Sequence, residues 1–101
     1  MAILALFTGH GLTKHHYDQL RKEVGWEHRH AEGGIFHVAS FDEKGDAHVA
    51  DVWESPAHLD AFVTTRLAPA MQKLGIPQPD VRVFPVHNVN AYKSVEKYIL
   101  P

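Results

Sequence analysis

An α+β fold, with two helices on one face of a four-stranded antiparallel sheet, is predicted by three features of the sequence. Apolar residues gather in four strand-like runs and two helix-like stripes, in the order strand, helix, strand, strand, helix, strand. A turn signal at Glu43-Lys44-Gly45 joins the middle strands as a hairpin. Two helices and four strands suit a sandwich of one helical and one sheet layer. The 101 residues fit a single domain, with 93–101 as a C-terminal tail, and the 45% hydrophobic content supports a packed core.

Ala2–Thr8 is a short apolar run closed by Gly9-His10-Gly11, which predicts a buried first strand and a turn. Thr13 is placed to cap the first helix. Tyr17, Leu20 and Val24 form its apolar stripe, and Gly25 ends it. Trp26–Gly34 is a polar loop. Ile35–Asp42 and Ala47–Glu54 are the hairpin strands. A three-residue loop with Gly45 in the left-handed position sets Asp42 opposite Asp46, then Phe41 opposite Ala47, Ala39 opposite Val49, His37 opposite Asp51 and Ile35 opposite Trp53. A two-residue loop would slip the register by one and part His37 from Asp51. Glycine at its preferred position favours the first arrangement.

Ser55-Pro56 is a strong helix start, an N-cap followed by proline in the first turn. Leu59, Phe62, Val63, Leu67, Ala70, Met71 and Leu74 give the second helix its stripe. Pro69 has no N–H to donate, so the helix should kink or split near Thr65–Ala68. Gly75-Ile76-Pro77 ends it. Val81–Tyr92 is read as the last strand, an edge strand or a bulged one because Pro85 lies within it. This is the ferredoxin-like order. The sheet face turned away from the helices carries Phe36, Val38, Ala50 and Val52, too much apolar surface to leave wet, which predicts a homodimer packed sheet on sheet.

Composition removes several function classes. With no cysteine there is no disulfide, thiolate metal site or cysteine nucleophile. A net charge of −2 offers no basic field for nucleic acid or an anionic membrane. Met1–Thr8 lacks the basic start and the length of a signal peptide and cannot span a bilayer, so a cytoplasmic protein is expected. His15-His16 and His28-x-His30 could chelate, but no carboxylate-rich loop or His-x-x-Glu-His accompanies them, so no metal is expected. Gly9-His10-Gly11 fails as a dinucleotide fingerprint because Lys14 stands at its third glycine. No Gly-x-Ser-x-Gly elbow and no P-loop is present, and no cofactor is expected.

Three stretches carry a family likeness. His37-Val38-Ala39-x-Phe41-Asp42-x-x-Gly45, Asp51-Val52-Trp53-Glu54-Ser55, and Phe62 with Arg66-Leu67-x-Pro69 resemble the dimeric α+β barrel superfamily, in its antibiotic-biosynthesis-monooxygenase-like branch. The resemblance runs from Ala2 to about Tyr92. It implies the fold and a homodimer. It implies chemistry drawn from cofactor-free oxygenases, haem degraders, polyketide cyclases and lactone isomerases. The haem-degrading members use an Asn, a Trp and a His; Trp53 matches the Trp, while Ala2–Thr8 holds no Asn.

His37 and Asp51 are the candidate catalytic pair. A carboxylate beside an imidazole fixes its tautomer and steadies the protonated ring, as a general base requires; the alternative is a mutually satisfied pair that only stabilises the sheet. Tyr17, Trp53 and Phe62 are candidates to line a flat pocket for a small apolar or aromatic molecule, or they are plain core. Arg66, one turn from Phe62, could hold a substrate anion, or snorkel to a carboxylate such as Asp60. His87 joins the pocket if it shares the face of His37. The expected function is cofactor-independent chemistry on an aromatic or polyketide-like substrate, begun by proton removal at His37. The rivals are haem binding through a histidine and a non-catalytic ligand-binding or stress-related dimer.

Overall fold

The computed structural model describes residues 1–101. Four strands, β1 (Ile3–Gly9), β2 (Gly34–Phe41), β3 (Ala47–Trp53) and β4 (Asp80–Pro85), pair antiparallel in the order β2-β3-β1-β4. Helices α1 (Lys14–Val24), α2 (Pro56–Phe62) and α3 (Ala68–Leu74) complete a ferredoxin-like α+β fold, as the sequence predicts. No helix is long and apolar enough to cross a membrane.

Local chemistry sets the ends of the elements. The Thr13 side chain accepts from His16 N–H at the start of α1, and Gly25, at φ 73°, closes it by donating to Arg21 O. The buried face of α1 holds Tyr17, Leu20 and Val24, with Arg21 beside them. Arg21 is buried because it is paired: it donates to Asp18 at 3.2 Å and to Glu27 and the Pro101 carbonyl at 3.0 Å. Ser55 caps α2 through His58 N–H. Pro69 splits the second helix as expected, and the split takes the form of a π segment over Val63–Leu67, where Ala68 N–H reaches back to Val63 O. Without an N–H at residue 69 the normal hydrogen-bond ladder breaks, and the chain widens by one residue instead of bending sharply.

The hairpin follows the three-residue loop. Gly45 lies at φ 86° and its N–H donates to Asp42 O, while Asp42 Oδ1 accepts from the N–H groups of Lys44 and Asp46. An L-residue with a side chain resists that φ, so the glycine decides the register. His37 therefore opposes Asp51, Ala39 opposes Val49 and Phe41 opposes Ala47. The expected pairing of Ile35 with Trp53 is corrected. Gly34 opposes Trp53, Phe36 opposes Val52, and Ile35 is the extra residue of an irregularity between them.

The last strand is also shorter than Val81–Tyr92: it ends at Pro85, which cannot donate to a ladder. Val86 N–H makes one further bond to Ala2 O, and a 3₁₀ turn follows at Lys93–Tyr98. The core has two parts. Leu12, Tyr17, Leu20, Val24, Ala47 and Met71 lie in the larger, and Ile3, Ala5, Trp53 and Leu59 in the smaller.

Candidate active site

A half-open cavity of about 220 Å³ lies between the helix-facing side of the sheet and the helices. Its floor is Phe7, Val49, Asp51, Trp53 and His37 from the three strands that the helices cover. Leu12, Phe62 and Leu67 close it from the helix side, and Trp26, His30 and Ala31 from the α1–β2 loop form a side wall. The loop fits closely. At Gly33, where φ is 81°, a Cβ would stand 2.3 Å from the His58 ring, so no side chain can be placed there without displacing the loop.

The polar groups of the floor form one chain of hydrogen bonds. His37 Nδ1 meets Asp51 Oδ1 at 2.6 Å, and His37 Nε2 meets the Tyr17 hydroxyl at 2.7 Å. Trp53 Nε1–H donates to the other carboxylate oxygen, Oδ2, at 3.2 Å. An ionised carboxylate only accepts, which assigns the proton of a neutral His37 to Nδ1 and makes Nε2 the acceptor of the Tyr17 O–H. The Asp51 side chain is 11% exposed and the His37 side chain 36%, so the imidazole is the part of the network that a solute can reach. Burial, with the nearby charges of Glu27 and Asp51, pushes the ionisation of Tyr17 well above its ordinary value, and the phenol stays neutral.

The structure brings His37, Asp51, Trp53 and Phe62 together around the cavity. Tyr17 touches the network from behind, as a hydrogen-bond partner of His37, and lines no part of the cavity. Arg66 lies outside it, in an adjoining cleft with Arg29 and His58 that shares His30 with the cavity, and its Nη2 donates to two backbone carbonyls. Its expected carboxylate partner, Asp60, is not used; the guanidinium bonds the carbonyls of Val24 and Arg29 instead. His87 lies past the end of β4, exposed and away from the cavity, because Pro85 stops the strand that would have carried it inwards.

Trp26 is a cavity residue that the sequence reading left in a polar loop. Its ring centroid lies 5.3 Å from that of His37 and 5.6 Å from that of Tyr17. The signal was an aromatic directly after a helix-closing glycine, a position that commonly folds back on the helix end. Several of the remaining histidines have partners outside the cavity network. His48 pairs with Asp42 at 2.8 Å, His10 with Asp80 at 3.1 Å, and His30 Nε2 lies 2.9 Å from Gly34 O.

No protein-family model and no curated protein matches the sequence. Solved structures do. A proposed antibiotic biosynthesis monooxygenase from Chloroflexus aurantiacus superposes with a TM-score of 0.66 at 14% identity, over 90% of this chain and 98% of that one. SnoaB, a cofactor-independent oxygenase from Streptomyces nogalater, gives 0.60 at 12% identity, over 87% and 93%. A conserved protein from Methanosarcina mazei gives 0.65 at 13%, over 84% and 92%. Identities this low speak for architecture alone, and on that ground the chain has the ferredoxin-like α+β fold of the antibiotic-biosynthesis-monooxygenase-like proteins.

Proposed function

We propose that the chain is a homodimeric small-molecule-binding protein whose cavity takes a small, flat, largely apolar molecule, and that His37 accepts a proton from it. The observation that carries this is the reachable imidazole of His37, backed by Asp51, in a floor that is otherwise apolar and aromatic. A cavity of about 220 Å³ falls below the roughly 300–1,000 Å³ of sites for drug-sized ligands. That size favours one or two fused rings and argues against the haem reading. The chemistry this supports is cofactor-independent oxygenation, cyclisation or isomerisation of an aromatic or polyketide-like substrate.

In the resting site the lone pair of His37 Nε2 holds the Tyr17 hydroxyl. Proton transfer requires the Tyr17 hydroxyl to give up Nε2 to the substrate's acidic O–H or C–H; Tyr17 lines no part of the cavity and does not itself meet the substrate. The proton moves to Nε2, the imidazolium is steadied by the Asp51 carboxylate 2.6 Å from Nδ1, and the substrate is left as a phenolate or carbanion beside Trp53. That anion is the species that reacts with oxygen or rearranges. The non-catalytic rival draws on a specific fact: the polar side-chain atoms of Tyr17, His37, Asp51 and Trp53 all have partners already.

Titration with 1-naphthol, followed by tryptophan fluorescence and by the His37 ring signals in NMR, tests the binding. Saturable binding that shifts His37 is expected; no saturation, or an unmoved His37, sinks the reading. Oxygen uptake above the protein-free rate with 1,4-dihydroxynaphthalene tests the chemistry. His37→Ala should lower it by about 10²–10⁴-fold. Naphthol binding without any His37-dependent turnover would leave the non-catalytic dimer.

A further inference from the structure

The least regular wall of the cavity is the α1–β2 loop, and it is fastened from outside by one side chain. After Gly25 the loop curls on itself, with His28 and Arg29 N–H groups donating to Gly25 O at 3.1 and 2.8 Å. Arg66 Nη2 donates to Val24 O at 3.1 Å and to Arg29 O at 2.8 Å, the carbonyls on either side of that curl. One guanidinium nitrogen thus pins both ends of the segment that delivers Trp26, and the pinned Arg29 precedes the wall residues His30 and Ala31.

The same guanidinium lies 5.2 Å from the centroid of Phe62, and the Phe62 ring meets Trp53 at 5.1 Å on the cavity side. Arg66 therefore backs two walls without lining either. A planar fork suits this work, since it can bond carbonyls and lie over a ring at once.

A second observation bears on the same place. The buried side-chain donors that lack an acceptor are Arg66 Nε and Trp26 Nε1, one on the fastener and one on the fastened loop. Unpaired buried donors cost free energy, so this wall is held less firmly than a fully satisfied one. Burial, together with the charge of Arg29, also lowers the pKa of the Arg66 guanidinium.

We infer that Arg66 is a positioning residue that clasps the loop Gly25–Ala31 into place as a wall of the cavity, and so governs ligand affinity without touching the ligand. This rests on the cavity being the binding site. The clasp itself is measured without any ligand.

Amide hydrogen exchange, read by mass spectrometry on the full chain, compares the wild type with Arg66→Ala and Arg66→Lys. In Arg66→Ala the amides of 26–31 should exchange about tenfold faster while those of β1 and β3 keep their protection. Lysine keeps the charge but lacks the fork and the flat face, so it should restore only part of the protection. The same proteins are titrated with 1-naphthol and with anionic 1-naphthoate. A loosened wall weakens both probes alike, by about tenfold, because less of the protein holds the closed loop. Unchanged loop exchange in a folded Arg66→Ala protein overturns the inference. So does a loss confined to naphthoate, which would make Arg66 a direct partner of the anion. If Arg66→Ala does not fold, Arg66→Lys is judged by the same two outcomes. Should neither probe bind the wild type, the cavity reading fails and the exchange result alone decides the clasp.

Discussion

The two faces of the sheet draw on the same alternating strands and meet opposite fates. On the helix side of β1 and β3, where the helices cover the sheet, Ala5, Trp53 and Ile3 are 0%, 4% and 5% exposed, and two polar side chains, His37 and Asp51, lie in the same layer; on β4, which the helices leave uncovered, Val81 and Val83 of that face are 48% exposed. On the outer side Val38, Phe84 and Leu6 are 47%, 39% and 37% exposed, with Arg82 laid over the Phe84 ring among them. The Asp51 carboxylate is thus covered where a hydrogen-bond chain satisfies it, and apolar groups are bare where the chain has nothing left to cover them. The inner face holds an expense that its network offsets. The outer face holds an unused gain, which a second copy of the chain would realise.

The sharpest way to break this contrast is to charge the outer face. Val38→Asp should abolish the dimer and cost about 3–5 kcal/mol, since the carboxylate would be buried without a partner at the interface. Sedimentation at micromolar concentration reads it: the wild type should run at twice the 11.4 kDa of the chain. A stable, soluble wild-type monomer would show that the outer face needs no cover.

On the inner face His37→Ala leaves both Asp51 Oδ1 and the Tyr17 hydroxyl unpaired. A thermal melt should show a loss of roughly 1–3 kcal/mol. Asp51→Asn should lose less, because the amide keeps the shape and one acceptor. If neither change moves the melt, the network does not offset the burial of its members. Tyr17→Phe is smaller again, about 0.5–1.5 kcal/mol, and clears His37 Nε2. Turnover should then hold or rise; a fall as deep as that of His37→Ala would mean that the proton passes through Tyr17 after all.

The smallest effect lies at the margin where the faces meet. The hydrogen bond from His48, then that from Asp46 N–H, holds the Asp42 carboxyl below its ordinary 3.8. The charged form belongs to the folded hairpin, so its contribution is complete above pH 3.8 and is lost as pH falls through the lower folded value. The NMR signals of the Lys44 and Asp46 amides should therefore stay fixed at pH 5 and move only in stronger acid. Movement already at pH 5 would detach the turn from Asp42.

Features set by neighbours in the chain were legible, and those set by distant contacts were not. Thr13, Gly25, Ser55 and Gly45 act within a few residues of themselves, so the three caps, the turn and the His37–Asp51 register could be read directly. The irregularity at Ile35 could not, because it depends on how the strand leaves a loop tied to Arg66 and His58. Arg66 shows the same limit. Its type and its place near the apolar stripe pointed to an anion, and only the packing of α1 against the second helical arm offers it carbonyls instead. For His87 the proline two residues earlier is visible in the sequence, but whether a strand passes a proline or stops at it depends on the neighbouring strand's pairing, which ends at Pro85.

The order of pairing in the sheet also constrains how the molecule comes into being. The first strand made, β1, is an inner strand of the sheet, and its neighbours are the third and the last. The β2–β3 hairpin can close early from local contacts, but β1 gains its second edge only when residues 80–85 have left the ribosome. Until then Ile3, Leu4, Leu6 and Phe7 present an apolar ribbon with an open edge. Nascent chains stalled before residue 80 should therefore be the ones that chaperones hold and that aggregate, while chains released past Pro85 should fold in one cooperative step.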